Sequence, residues 1–150
     1  MDLLGRKVMA AGGAALRALG AEIAATVTRA RAAGVEGGWC DALSNAFAAV
    51  GSLTMELGAL GLAGQVEQMM LHSADYLDLF STMVIGWQWL AQAAAAREGL
   101  SAGRGDAGFL EGKLCAAQYW IATELPRIDA LAALCRSGEG SYARMKPEWF

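Results

Sequence analysis

From Leu79 to Ala96 the chain carries no ionisable side chain, and this run lies inside a longer stretch, residues 66–97, that holds Met69, Met70, Tyr76, Leu79, Phe80, Met83, Val84, Trp87 and Leu90. A helix with so few wet positions is apolar on nearly every side and is most stable when other helices surround it. The run is also the one candidate for a membrane span, but Ser81, Thr82, Gln88 and Gln92 make it poorly apolar. Trp87 and Trp89 lie in its middle, whereas interfacial aromatics belong near the ends of a span. A buried central helix, and no membrane span, follows.

Three other periodic stretches can surround it. Residues 14–33 repeat Leu16, Leu19, Ile23, Val27 and Ala30 at three- and four-residue spacing, with Arg17, Glu22 and Arg29 on the wetter side. Gly34 and Gly37-Gly38 then supply a stop and a turn, and residues 41–62 offer Leu43, Phe47, Val50, Thr54, Leu57 and Leu60 or Gly61 as a second stripe. After a loop over residues 98–105, Asp106 is placed to cap a fourth helix bearing Leu110, Leu114, Ala117, Ile121, Leu125, Ile128, Ala132 and Cys135. Pro126 removes an amide donor and crowds the carbonyl of Ala122, which predicts a kink near Ala122 and Thr123. Gly138 and Gly140 end this helix, and the tail of residues 141–150 closes with Lys146-Pro147-Glu148-Trp149-Phe150, whose aromatics are suited to docking on this domain or on a partner.

With 150 residues, 55% of them hydrophobic, the chain suffices for one domain with a sizeable core. Its alanine richness, two prolines and lack of alternating β-branched runs favour helices over strands. The expected fold is all-α: an up-and-down four-helix bundle over residues 1–150, with a kinked last helix and a short C-terminal tail. Gly58, Gly61 and Gly64 recur every three residues at the end of the second helix, where each costs about 1 kcal/mol relative to alanine. Close approach of another helix, a frayed end and a ligand-facing groove are the three readings. A phosphate loop is not among them, since no strand precedes and no Lys-Ser/Thr follows.

The net charge is −3, and between Asp41 and Glu98 the only basic side chain is Arg97. Nucleic acid needs clustered Lys and Arg with interleaved aromatics, and an anionic membrane needs a basic helical face; neither pattern is present. Cys40, Cys115 and Cys135 form no Cys-x-x-Cys pair, and an odd number cannot complete a disulfide framework, so a reducing, cytoplasmic setting fits and all three are read as packing residues. Arg6-Lys7 and the Gly/Ala-rich run after them resemble a weak export signal that Arg17 and Glu22 interrupt, and export is discounted.

The chain's one histidine, His72, lies one helical turn from Asp75 and near Glu67, a trio that invites a metal or proton-relay reading. Di-iron bundles need two Glu-x-x-His units, and catalytic zinc takes three protein ligands, so a structural role is the simpler reading and no metal site is assigned. Asp75 and Asp78 share a helix face, where they could act as an acid/base pair or stand as a solvated acidic edge favoured by the helix dipole. No Gly-x-Ser-x-Gly elbow occurs, so a hydrolase triad has no support.

Several segments carry a resemblance. Met1-Asp2-Leu3-Leu4-Gly5-Arg6-Lys7, Ala74-Asp75-Tyr76-Leu77-Asp78-Leu79-Phe80, Gly86-Trp87, Gly105-Asp106-Ala107-Gly108-Phe109-Leu110-Glu111-Gly112-Lys113 and Glu124-Leu125-Pro126-Arg127 follow one another in the order seen in the C-terminal part of acyl-CoA dehydrogenases. The chain most resembles the branch with an extra C-terminal helical domain, that of methylthiopropionyl-CoA dehydrogenase and enzymes acting on other short acyl-CoA thioesters. That branch often has Pro, Arg and Gly where this chain has Asp75, Asp78 and Ser81, so the contacts of those residues do not carry over.

The resemblance implies an enzyme that uses FAD to introduce an α,β double bond into an acyl-CoA thioester, as in fatty acid metabolism, and passes the electrons onward. In such enzymes a Tyr-Glu-Gly-Thr stretch supplying the α-proton base lies shortly before a segment like Met1–Lys7. Because the sequence begins after that stretch, the chain is expected to lack the base and most of the flavin site, to hold no catalytic residue, and to bind no cofactor alone. Its implied partner is an acyl-CoA dehydrogenase body, in cis or in trans, with self-association a further option. The alternative function is an independent helical interaction module that binds a protein or an apolar ligand without catalysis.

Overall fold

The structure, a computed structural model, describes the backbone of residues 10–150 and side chains from residue 13 onward; the Met1–Lys7 segment lies outside the described residues. The described chain is helical: α1 (Ala10–Ala32), α2 (Gly37–Leu62), α3 (Val66–Met70), α4 (Ser73–Ser101), α5 (Ala107–Tyr119) and α6 (Arg127–Ser137), with a π-helical turn at Trp120–Glu124 and 3₁₀ turns at Ser141–Arg144 and Pro147–Trp149. These form the expected bundle, α5 and α6 together making its bent fourth member.

Both α2 and α4 pack on each other, on α1 and on the α5–α6 unit, whereas α1 does not run along α5 or α6. The cross-section is therefore a rhombus with α2 and α4 on its short diagonal. Alternation of direction shows in the pairs that join helices two apart, Arg29 with Glu98 and Arg136 with Glu56, each linking like ends. The core holds the expected stripes: Ile23 and Ala30 from α1, Leu43, Val50, Leu53 and Leu57 from α2, Leu79, Met83 and Leu90 from α4, and Leu114, Ala117, Ile121, Leu125, Ile128, Ala132 and Cys135 from the last member.

The central helix departs from expectation twice. Its predicted span of residues 66–97 is broken at Leu71 and His72, leaving α3 only five residues long, and α4 then runs on to Ser101. It is also not enclosed on all sides, because Leu77 and Ile85 are 52% and 41% exposed on the strip that four helices cannot cover. Among the described residues the one helix long and apolar enough to cross a membrane is α2, not the uncharged run in α4. The buried side chains of α2 face the core. Its first turn contains Gly37 and Gly38, which were expected in the preceding turn.

The kink falls where Pro126 predicts it. Leu125 N–H reaches back five residues to the Trp120 carbonyl at 3.1 Å, and Pro126 precedes the first residue of α6. The extra residue of a π turn absorbs the bond that proline cannot make. Gly86 lies beneath this turn: a Cβ there would stand 2.7 Å from Leu125 Cδ1 and 3.7 Å from the Trp120 ring. Of the three-residue glycine series, Gly61 faces Met69 Sδ of α3, while Gly64 has φ +79° and open space around it. The series thus serves a side-chain contact and a chain reversal. Asp106 caps α5 by accepting from Phe109 N–H at 2.7 Å, as its position predicts.

Buried polar groups tie the seams. Thr54 Oγ1 donates to the Val50 carbonyl at 2.7 Å, which leaves the Tyr76 hydroxyl as the donor in the 2.7 Å contact between them. Trp87 Nε1 donates to Thr26 Oγ1, which in turn donates to the Glu22 carbonyl.

Two predictions follow from these contacts. Gly86→Ala should lower stability by about 1–2 kcal/mol through overpacking against Leu125, whereas Gly112→Ala, with nothing within 4 Å, should raise it by roughly 0.5–1 kcal/mol. Thr54→Val strands the buried Tyr76 proton and should cost about 1–3 kcal/mol, more than Tyr76→Phe at about 0.5–1.5 kcal/mol, which leaves no donor unpaired. Urea unfolding of the four variants checks both the signs and the order.

Candidate functional site at the α3–α4 break

His72 takes the N-cap position of α4 with φ −112° and ψ 39°, and its carbonyl accepts from Tyr76 N–H at 2.9 Å. No glycine or proline marks the break; tertiary contacts hold it. The Leu71 carbonyl, which a continuing helix would offer to the residue four ahead, instead accepts the Tyr142 hydroxyl from the C-terminal segment. The His72 carbonyl also receives the Cys135 thiol at 3.8 Å. Gly138, in the left-handed conformation at φ 63°, turns the chain out of α6 and brings Glu139 over the break.

The imidazole is 10% exposed. Nδ1 lies 3.1 Å from Asp75 Oδ2 and Nε2 lies 2.9 Å from the Glu139 carbonyl, with the Tyr142 ring edge-on at 6.4 Å. Both nitrogens therefore face oxygen acceptors and neither is open to a metal or a substrate. The Glu139 carboxylate accepts from the amide and hydroxyl of Ser141, and the amide bond foremost holds it below the usual carboxylate range.

The structure thus joins His72 to Asp75 and separates the other members of the predicted sets. Glu67 is exposed in the first turn of α3 and does not contact the ring, whose two nitrogens are taken. Asp78 instead faces Arg127 at 3.8 Å, a cation that also pairs with Glu124 at 2.6 Å. Asp75 and Asp78 are hence partners of separate groups and do not form an acid/base pair. Among the described residues no group of three or more His, Cys, Asp or Glu could hold a metal ion. Reading the sequence missed Glu139, Tyr142 and Cys135 as partners of this break, since they lie more than sixty residues away along the chain.

The cysteines divide. Cys40 and Cys135 are buried packing residues, but Cys115 is exposed, against expectation. Burial pushes the Cys135 thiol up to about 11, with Asp75 adding to the effect, and burial raises Cys40 as well. Two grooves flank the last member of the bundle. One of about 230 Å³ lies at the kink and is lined by Ala42, Asn45, Ile121, Leu125, Pro126 and Asp129. The other, about 290 Å³, lies between α2 and α6 beside Leu53, Leu57, Leu60 and the Glu56–Arg136 pair.

The sequence profile of the family described as "Acetyl-CoA dehydrogenase C-terminal like" matches residues 19–146. The chain belongs to that family. The match takes in all of α2 to α6, the kink and the His72 cluster, so these are parts of the family's C-terminal-like domain. No curated protein matches the chain.

Raised native pKa values give a pH prediction with a definite sign. Cys135, Cys40 and Tyr76 are all raised, chiefly by burial, so the unfolded chain releases their protons first. Stability is unaffected by them below about pH 8 and should fall as pH rises from about 9 towards 11. Denaturant midpoints at pH 8 and pH 10 measure the loss, and a Cys135→Ala, Cys40→Ala double variant should show a shallower decline.

Proposed function

We propose that this chain is the C-terminal helical domain, as a fragment or a split subunit, of a flavin-dependent acyl-CoA dehydrogenase, and that it supports packing or oligomerisation of an enzyme oxidising an acyl-CoA thioester to the 2-enoyl-CoA. The observation that carries this reading is the family match over residues 19–146. The branch acting on methylthiopropionyl-CoA and other short thioesters, and a cytoplasmic setting, belong to the same proposal.

FAD, where the complete enzyme holds it, supplies the two-electron acceptor for that oxidation. In this reading its site lies on the dehydrogenase body, and the two grooves described above are poorly suited to it. Both grooves fall at or below the small end of the roughly 300–1,000 Å³ range of ligand pockets. Their polar groups are Asn45 and Asp129 in one and Glu56, Gln68 and an already paired Arg136 in the other, which offers no cluster of donors for a pyrophosphate. The same proposal gives the flavin and the α-proton base to the dehydrogenase body. This domain contributes surface: Leu77 and Ile85 on α4, Phe109 and Tyr119 on α5, and Trp149 and Phe150 in the tail are large apolar side chains open to a neighbour.

The test is to purify the chain alone, record its visible absorption and far-ultraviolet circular dichroism, and assay acyl-CoA-dependent reduction of an electron acceptor. Then it is co-expressed with a body whose sequence ends in a Tyr-Glu-Gly-Thr-like segment. The expected outcome is a colourless, helical, inactive chain that co-purifies with the body. Flavin and activity in the isolated chain would overturn the assignment of the flavin site to the body, and a stable chain that ignores the body would favour an independent interaction module.

A further inference from the structure

The His72 cluster joins two regions that the fold otherwise leaves loosely connected. On one side is the α3–α4 break; on the other are the residues beyond α6, all of which are exposed from Ser141 onward. The contacts that cross between them include the His72 ring to the Glu139 carbonyl, the Tyr142 hydroxyl to the Leu71 carbonyl, the edge-on packing of the Tyr142 and His72 rings, and the Leu71 side chain against Gly140.

The partners of the ring decide its protonation requirement. A backbone carbonyl only accepts, and an ionised carboxylate only accepts. A neutral imidazole donates from one nitrogen and presents a lone pair at the other, so it satisfies either Asp75 or the Glu139 carbonyl and turns a lone pair towards the second oxygen. The imidazolium alone donates to both. We propose that His72 is a proton-operated latch: its doubly protonated ring fastens residues 139–145 to the α3–α4 break, and loss of the ring proton loosens them.

The surroundings leave His72 as the group that changes the charge of this contact. On its own helix the facing group is Asp75. From α6 come Cys135, whose thiol, pushed up to about 11, stays protonated through neutral pH, and Arg136, which turns to Glu56 at 2.7 Å. From the C-terminal segment come Glu139, bound to Ser141 and held ionised, Arg144, which acts on Glu139, and Tyr142. On α3, Glu67 is exposed and bonds neither ring nitrogen. The sign follows directly. The full set of bonds exists with the proton on the ring, and one of them is lost when the ring gives that proton up.

Because the chain has a single histidine, its ring resonances report this titration without ambiguity. The intact protein is followed by NMR from pH 5 to 8. We monitor the His72 ring protons together with the amides of Ala143 and Met145, which are bonded within the 3₁₀ turn to the Gly140 and Tyr142 carbonyls. The latch requires both amides to shift with the same midpoint as the ring. Their hydrogen exchange, normalised to unstructured-peptide rates, should accelerate about fivefold on the alkaline side, the equivalent of one hydrogen bond. In a His72→Gln variant the same amides should exchange fast and lose their pH dependence. The wild-type titration stands whether or not that variant folds. A ring that keeps one charge state from pH 5 to 8, amides that stay constant while the ring titrates, or pH dependence that survives in His72→Gln overturns the proposal.

Discussion

A helix without an ionisable side chain across its middle can be kept from water only if every polar hydrogen it buries finds an acceptor. In α4 that condition is met by the neighbouring helices' threonines. Tyr76 donates to Thr54 of α2 and Trp87 to Thr26 of α1, and each threonine passes its own proton to the carbonyl four residues earlier on its helix. The third seam runs the other way, Trp120 Nε1 donating to the Thr82 carbonyl of α4 at 3.3 Å. The order of helices around α4 is therefore specified by directional bonds as well as by apolar area, since each aromatic donor has one threonine or carbonyl within reach.

The rhombic section and the kink are consequences of the same helix. With α2 and α4 on the short diagonal, the last member must bend to stay in contact with both along its length. Pro126 places the bend, the π turn accommodates the missing amide, and Gly86 lets Leu125 and Trp120 approach α4 closely. A side chain at residue 86 would hold the bend away and open the seam that Trp120 closes. Further along the same seam Lys113 of α5 adds a charged contact: its ammonium sits 5.4 Å from the Trp89 ring centroid and 5.3 Å from that of Phe109, and it donates to Gln92 Oε1 at 2.9 Å. The lysine stem and charge thus lie over the half-buried Trp89 and the exposed Phe109 at the α4–α5 seam.

What could be read from the residues and what could not differ by range. The stripes of α1, α2 and the α5–α6 unit, the Asp106 cap and the Pro126 kink depend on neighbours a turn or two away, and each lies where spacing places it. The α3–α4 break does not, because Leu71 and His72 have no local reason to leave a helix; the reason is Tyr142 and Cys135, which arrive from the far end of the chain. The exposed strip at Leu77 and Ile85 was hidden for a related cause, since hydrophobicity tells how much a helix wishes to bury and not how many partners surround it. Of His72, Asp75 and Glu67, three-residue spacing joins the first two, while Glu67 sits on the other side of a break that spacing could not reveal.

The distribution of ion pairs shows which part of the cluster at the break is structural. Arg29–Glu98 and Arg136–Glu56 are bidentate and close, yet all four side chains are well exposed, where solvent and salt screen such pairs. His72 differs because its ring is nearly out of water and both of its nitrogens are committed to oxygens held by separate elements. Replacing either exposed arginine leaves a carboxylate that water can solvate. Replacing His72 removes the ring that the Glu139 carbonyl and the Asp75 carboxylate both face, at the point where the N-cap of α4, the end of α6 and the C-terminal segment meet. The histidine that looked most like a chemical group in the sequence is thus the one whose geometry binds the two ends of the bundle's second half together.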